Sequence, residues 1–135
     1  DFLGRVSEEE KYQRLMRSHV LIHPSQREGW GINVIEANAV GTPAVGYRVP
    51  GLRDSIQDGC TGTLCPFRKS ESLGEAIKFM LGHSLSYERM QWNALRWSGH
   101  FTWEASAYRS LALLERTCET HTGARFQTGS PDVAG

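Results

Sequence analysis

His19-Val20-Leu21-Ile22-His23-Pro24-Ser25-Gln26-Arg27-Glu28-Gly29-Trp30-Gly31-Ile32-Asn33-Val34-Ile35-Glu36-Ala37 is the stretch that decides the fold. Residues 19–23 form a short apolar run stopped by Pro24, the pattern of a buried strand. A polar loop with Gly29 and Gly31 follows. Residues 32–40 then read as a helix ending at Gly41, with Pro43 just beyond. A strand, a glycine-bearing loop and a helix in that order are the parts of a parallel α/β sheet, whose ligands bind at the carboxyl ends of strands. Gly29 and Gly31 permit close backbone approach and positive φ. The N–H groups and dipole at the helix start favour an anion such as a phosphate.

The helix over 32–40 is apolar nearly all round, so burial is expected. Glu36 shares a side with Ile32, Asn33 and Val40. A carboxylate there needs a partner, because burying it unpaired is costly. The vicinal hydroxyls of a ribose would serve, since a carboxylate accepts two O–H bonds at once. The bland alternative is a tight strand-to-helix turn with a surface Glu28 and a structurally paired Glu36.

The same alternation extends outward. Upstream, Ser7 is an N-cap with Glu10 three residues on, as in a capping box, and Glu8 and Glu9 suit the helix dipole; a helix over 7–18 is predicted. Downstream, 43–47 and 61–65 read as two more buried strands, with a turn and short helix over 51–58 between them. Beyond these the pattern turns helical, over 72–81, 87–97 and 103–119. In the last of these, Trp103, Ala107, Leu111, Leu114 and Cys118 form one stripe at helical spacing. The aromatics Trp92, Trp97, Phe101, Trp103 and Tyr108 are expected in core or inter-lobe packing rather than as a sugar platform. Residues 120–135 are rich in Gly, Thr, Ser and Pro, and are expected to be a disordered tail.

Composition bounds the function. The 135 residues correspond to about one domain at the usual ~100–200 residues. Fifteen Lys+Arg balance fifteen Asp+Glu, which argues against a nucleic-acid binder that works by displacing counterions. Cys60, Cys65 and Cys118 are an odd count without zinc-like spacing, so neither a disulfide framework nor a metal site is expected. No apolar run approaches the ~18–20 residues that span a bilayer. Asp1-Phe2-Leu3-Gly4, with no initiator Met, reads as a strand end and its turn, and suggests a fragment of a longer chain.

Several motifs recur in order: Pro24-Ser25, Glu28-Gly29-Trp30-Gly31, Glu36-Ala37, Gly41-Thr42-Pro43-Ala44-Val45, Gly51-Leu52-Arg53-Asp54 and Asp58-Gly59-Cys60-Thr61-Gly62, with seven residues between Glu28 and Glu36. Together they resemble the C-terminal, nucleotide-sugar-binding lobe of the retaining glycosyltransferases of family 4 (group 1), which have the GT-B fold. The resemblance runs from Phe2 to about Trp103. It implies a Rossmann-like parallel sheet with flanking helices, one partial lobe of two, over residues 1–119.

Residue by residue, Glu28 matches the first glutamate of the family's Glu-x7-Glu motif, which contacts the transferred sugar and has been given catalytic roles. Gly29, Trp30 and Gly31 match the loop that holds sugar hydroxyls and leads to the diphosphate. Ile32, Asn33 and Val34 match the helix start where diphosphate oxygens rest, and Glu36 matches the ribose-holding glutamate. Arg5 and Val6 fall near the nucleobase-contacting loop. The resemblance implies a nucleoside-diphosphate sugar donor, with no metal or other cofactor. An acceptor saccharide, lipid or small molecule is expected to bind through an N-terminal lobe outside this sequence, and the family's basic Arg and Lys pair, which supports the leaving diphosphate, is expected upstream of Asp1. The chain alone is therefore expected to be inactive. The location implied is cytoplasmic, or peripheral at the cytoplasmic face of the membrane. A non-catalytic nucleotide-binding or interaction module, and a GT-B relative such as a sugar-nucleotide epimerase, stay open as alternatives. His23 ends its strand beside the site, within reach of a ligand.

Overall fold

Three parallel strands form the sheet: β1 (Leu21–His23), β2 (Ala44–Tyr47) and β3 (Gly62–Cys65), in the order β1-β2-β3. Leu21 pairs with Ala44 and His23 with Gly46, while Ala44 pairs with Gly62 and Tyr47 with Cys65. The structure is a computed structural model that describes residues 1–125, with side chains described as far as residue 120. All four residues of β2 are buried, as a central parallel strand covered on both faces requires. The helices are α1 (Glu8–Arg17), α2 (Ile32–Asn38), α3 (Leu52–Ser55), α4 (Ser70–Gly82), α5 (Ser84–Ser98) and α6 (Trp103–Arg125). This is the α/β arrangement expected of the sequence. The chain divides into two units, Asp1–His100, which holds the whole sheet, and Phe101–Gly135, of which α6 is the described part.

Local chemistry accounts for the elements. Ser7 Oγ accepts from Glu10 N at 3.2 Å, which caps α1. The reciprocal half of the expected capping box does not form, because the Glu10 carboxylate bonds Arg14 one turn on, at 2.6 Å. At the other end of α1, Thr42 Oγ1 donates to the Leu15 carbonyl at 2.7 Å, satisfying a terminal acceptor and tying the helix to the segment that enters β2. Trp97 Nε1 does the same for α3, donating to Ser55 O at 2.9 Å. Arg48 and Asp58 form an ion pair, and Asp58 Oδ1 also accepts from Leu64 N, which pins the segment before β3.

The core packs Val34 of α2 with Ala44, Val45 and Tyr47 of β2. Leu52 and Ile56 from α3 and its end, and Leu64 and Cys65 of β3, complete it with Leu73 and Met80 of α4. Burial raises the Cys65 thiol above its ordinary range, so it behaves as a small apolar group.

Two expectations need correction. Helix α2 ends at Asn38 rather than at residue 40, although Gly41 does take the expected positive φ of 79°. Helix α6 continues through Thr120 to Arg125, so the tail does not begin at Thr120; residues 126–135 lie outside the described residues. The stripe on α6 is exposed, as are Trp92, Trp103 and Tyr108.

One buried group carries a cost. Asn38 is fully buried, and neither its Oδ1 nor its Nδ2 has a hydrogen-bond partner among the described residues. Leucine has the same branching with methyls in place of the amide oxygen and nitrogen. Asn38→Leu is expected to raise stability by about 1–3 kcal/mol, the penalty of an unsatisfied buried polar group. Chemical denaturation of the two proteins checks this, and an unchanged or lowered midpoint would contradict it.

Candidate functional site

The site forms where β1 ends and α2 begins. His23 closes the strand, residues 24–31 cross the carboxyl edge of the sheet, and Gly31 opens the helix. Gly31 sits in the left-handed region at φ 81°, and a Cβ there would meet Leu52 Cδ2 at 3.0 Å and Ser55 Oγ at 3.1 Å. Only glycine combines that backbone with that clearance. It also leaves the helix start without a side-chain cap.

Glu28, Gly29, Trp30, Gly31, Ile32, Asn33 and Glu36 line one shallow cleft of about 600 Å³. Seven of the residues singled out by sequence are thus brought together. Val34 is not among them: its side chain is fully buried in the core and its N–H donates to Gly31 O at 2.9 Å. Arg5 and Val6 also lie outside the lining, on the segment that leads into α1.

Both glutamates of that lining are already held. Glu28 Oε1 accepts from Gly29 N at 3.0 Å, and Oε2 lies 3.3 Å from His23 Nε2. Glu36 Oε1 accepts from Lys11 Nζ at 2.9 Å, and Lys11 also bonds Glu8 Oε2 at 2.7 Å. Hydrogen bonds that it donates to Glu8 and then Glu36 hold the Lys11 ammonium above its ordinary range, so it stays charged at any physiological pH. The half-buried carboxylate thus has a protein partner, as the structural alternative expected, but sequence reasoning did not identify it. Lys11 lies 25 residues from Glu36, and no local pattern links them.

A second missed residue is Gly51, just before α3. A Cβ at that position would lie 2.3 Å from Glu28 O and 2.8 Å from Gly29 C. The β2–α3 turn therefore presses directly on the backbone of the glycine loop. In the sequence, Pro50-Gly51 reads only as a turn. Among the described residues, no group of His, Cys, Asp and Glu is placed to hold a metal ion. Nor is any described helix long and apolar enough to cross a membrane.

Residues 1–97 match the family model described as "Glycosyl transferases group 1". The chain belongs to that family. Among curated relatives, a D-inositol 3-phosphate glycosyltransferase of Jonesia denitrificans is 33% identical over 94 residues, covering 70% of this chain and 22% of the relative. One from Corynebacterium diphtheriae is 32% identical over 135 aligned residues, 96% of this chain and 31% of the relative. The chain thus spans between a fifth and a third of these relatives' lengths. Among solved structures, sucrose-phosphate synthase from Thermosynechococcus elongatus superposes with a TM-score of 0.78 at 27% identity, over 89% of this chain and 30% of that one. HepE of Anabaena, solved with UDP and glucose, superposes at 0.75 and 19% identity, over 87% of this chain and 32% of its own, a likeness of fold. The Rossmann-like sheet of this group 1 chain is that of the GT-B glycosyltransferases.

The two loop glycines differ in a way that stability measurements resolve. Gly51→Ala drives a methyl into the Glu28 carbonyl and is expected to cost about 1–3 kcal/mol, as overpacking does. At Gly29 a Cβ meets nothing within 4 Å, so Gly29→Ala should stay within about 0.5 kcal/mol of the parent. Thermal unfolding of both variants tests the pair, and equal destabilisation would contradict the contact assigned to Gly51.

Proposed function

We propose that this group 1 chain is the donor-binding part of a retaining, family 4-type glycosyltransferase, taking a sugar from a nucleoside diphosphate to an acceptor. The observation that carries the reading is the single cleft lined by both Glu28 and Glu36 together with the glycine loop. A nucleotide sugar needs three kinds of contact: sugar hydroxyls, diphosphate oxygens and ribose hydroxyls. Two carboxylates and the backbone N–H groups of a glycine loop and helix start are the groups that make them.

Glu28 receives hydroxyls of the transferred sugar, together with the exposed backbone of Gly29 and the side of Trp30. Gly31, Ile32 and Asn33 offer backbone donors to the diphosphate. Donors fixed before the reaction stabilise the charge that develops on the leaving diphosphate without having to reorganise. Glu36 takes the ribose diol; Lys11 bonds Oε1, and no described residue bonds Oε2. Arg5 and Val6 precede α1, the helix that carries Lys11, so a base extending past the ribose heads toward them. No metal is required in this scheme. Basic leaving-group support and the acceptor come from the rest of a two-lobed protein, and residues 1–135 alone should turn over no nucleotide sugar. The HepE structures with UDP and with UDP-glucose fit a nucleotide-sugar ligand for this fold.

The two glutamates then separate experimentally in the full-length protein. Hydrogen bonds to a charged group contribute about 1.5–3 kcal/mol and neutral ones about 0.5–1.5 kcal/mol. Glu36→Gln should therefore weaken nucleoside diphosphate binding by about 1–2 kcal/mol, or roughly 5–30-fold. Glu28→Gln should leave that affinity unchanged and lower turnover of the sugar donor instead. Calorimetric titration with UDP, GDP and ADP, beside donor kinetics, reads both. Equal weakening by the two substitutions would refute the division of roles.

A further inference from the structure

His23 is buried at the carboxyl end of β1, and its side chain turns toward α2 rather than into the cleft lining. Its Nε2 lies 3.0 Å from Asn33 Oδ1 and 3.3 Å from Glu28 Oε2. Two oxygens converge on one ring nitrogen, and one belongs to a carboxylate, which only accepts hydrogen bonds when ionised. The arrangement is consistent only if Nε2 carries the proton. The other carboxylate oxygen of Glu28 is held by the Gly29 N–H. Glu28 thus has its loop's own N–H bonded to one oxygen and the His23 ring nitrogen, itself hydrogen-bonded to Asn33, 3.3 Å from the other.

The geometry points to His23 as a positioning residue: its Nε2–H orients the Glu28 carboxylate toward the donor sugar, and Asn33 fixes which ring nitrogen carries that proton. The inference rests on the sugar-contacting role proposed for Glu28 and deepens it. Without the histidine, the Glu28 side chain keeps only the bond to its neighbouring amide and is free to rotate away. The Asn33 side chain consequently serves the histidine, leaving its backbone for the diphosphate.

The test uses the full-length protein. Ring ¹⁵N shifts should show His23 protonated at Nε2 in the neutral form, and an Nδ1–H form would overturn the inference without any ligand being needed. In kinetics with UDP-, GDP- and ADP-glucose as donor probes, His23→Phe keeps the ring volume but removes the donor. It should lower kcat roughly 10–100-fold, the scale of loss when a reacting group is misplaced by about 1 Å, with nucleoside diphosphate affinity unchanged. His23→Gln restores an N–H near the Nε2 position and should recover most of the loss. In a Glu28→Gln background, His23→Phe should add nothing further. A purely structural histidine would lower the melting temperature and leave kcat per folded molecule intact, which would overturn the inference. So would a His23→Phe loss that multiplies with that of Glu28→Gln. If Glu28→Gln itself leaves turnover unchanged, the role of Glu28 falls, and the positioning role falls with it. If none of the three donors turns over, the result counts against the transfer reading, and the ring shifts still decide where the proton sits.

Discussion

The backbone of the glycine loop rests on the backbone of the β2–α3 turn, with no room for a side chain between them. Gly51 lies so close to the Glu28 carbonyl that even a methyl group would displace it. The other arrangements at the site follow from that contact. It sets the height of residues 28 and 29 above the sheet edge, and Gly31, packed against Leu52 and Ser55, sets the angle at which α2 leaves the loop. Leu52 and Ser55 are themselves fully buried. The cleft is therefore a surface feature whose shape is dictated by close packing in the core, where small changes in volume are felt.

Electrostatics completes what packing begins. Each glutamate of the cleft faces a donor from another element: Lys11 of α1 for Glu36, and His23 of β1 for Glu28. Both contacts are partly open to solvent. Ion pairs of this kind add little to stability, with a typical contribution of about 0–1 kcal/mol. Their consequence is orientation. Two carboxylates held in place before a polyhydroxylated ligand arrives need no further ordering when it binds, which lowers the entropic cost of recognition.

Much of this was legible in the sequence, and the parts that were not share a cause. The strand ending at His23, the helix beginning at Ile32 and the parallel α/β character of the sheet all follow from short apolar runs punctuated by Pro24, Gly41 and Pro43. That information is local. The pairing of Lys11 with Glu36, the contact of Gly51 with Glu28 and the capping of α1 by Thr42 join residues far apart in the chain, and nothing in local spacing announces them. In α2 one face of the helix serves the core, through Val34 and Ile35, while Ile32, Asn33 and Glu36 line the cleft. On α6 the apolar spacing at a helical period identifies a face that could be covered, and Trp103, Leu111 and Leu114 remain exposed.

The central claim is that the loop between β1 and α2 receives the diphosphate, with Glu36 on the ribose. The most direct measurement is a crystal structure of the full-length protein with a bound nucleoside diphosphate. The account predicts phosphate oxygens within about 3 Å of backbone nitrogens among residues 29–33, and both ribose hydroxyls at the Glu36 carboxylate. A nucleotide bound elsewhere on the molecule, or one in the cleft with its ribose turned away from Glu36, would contradict it.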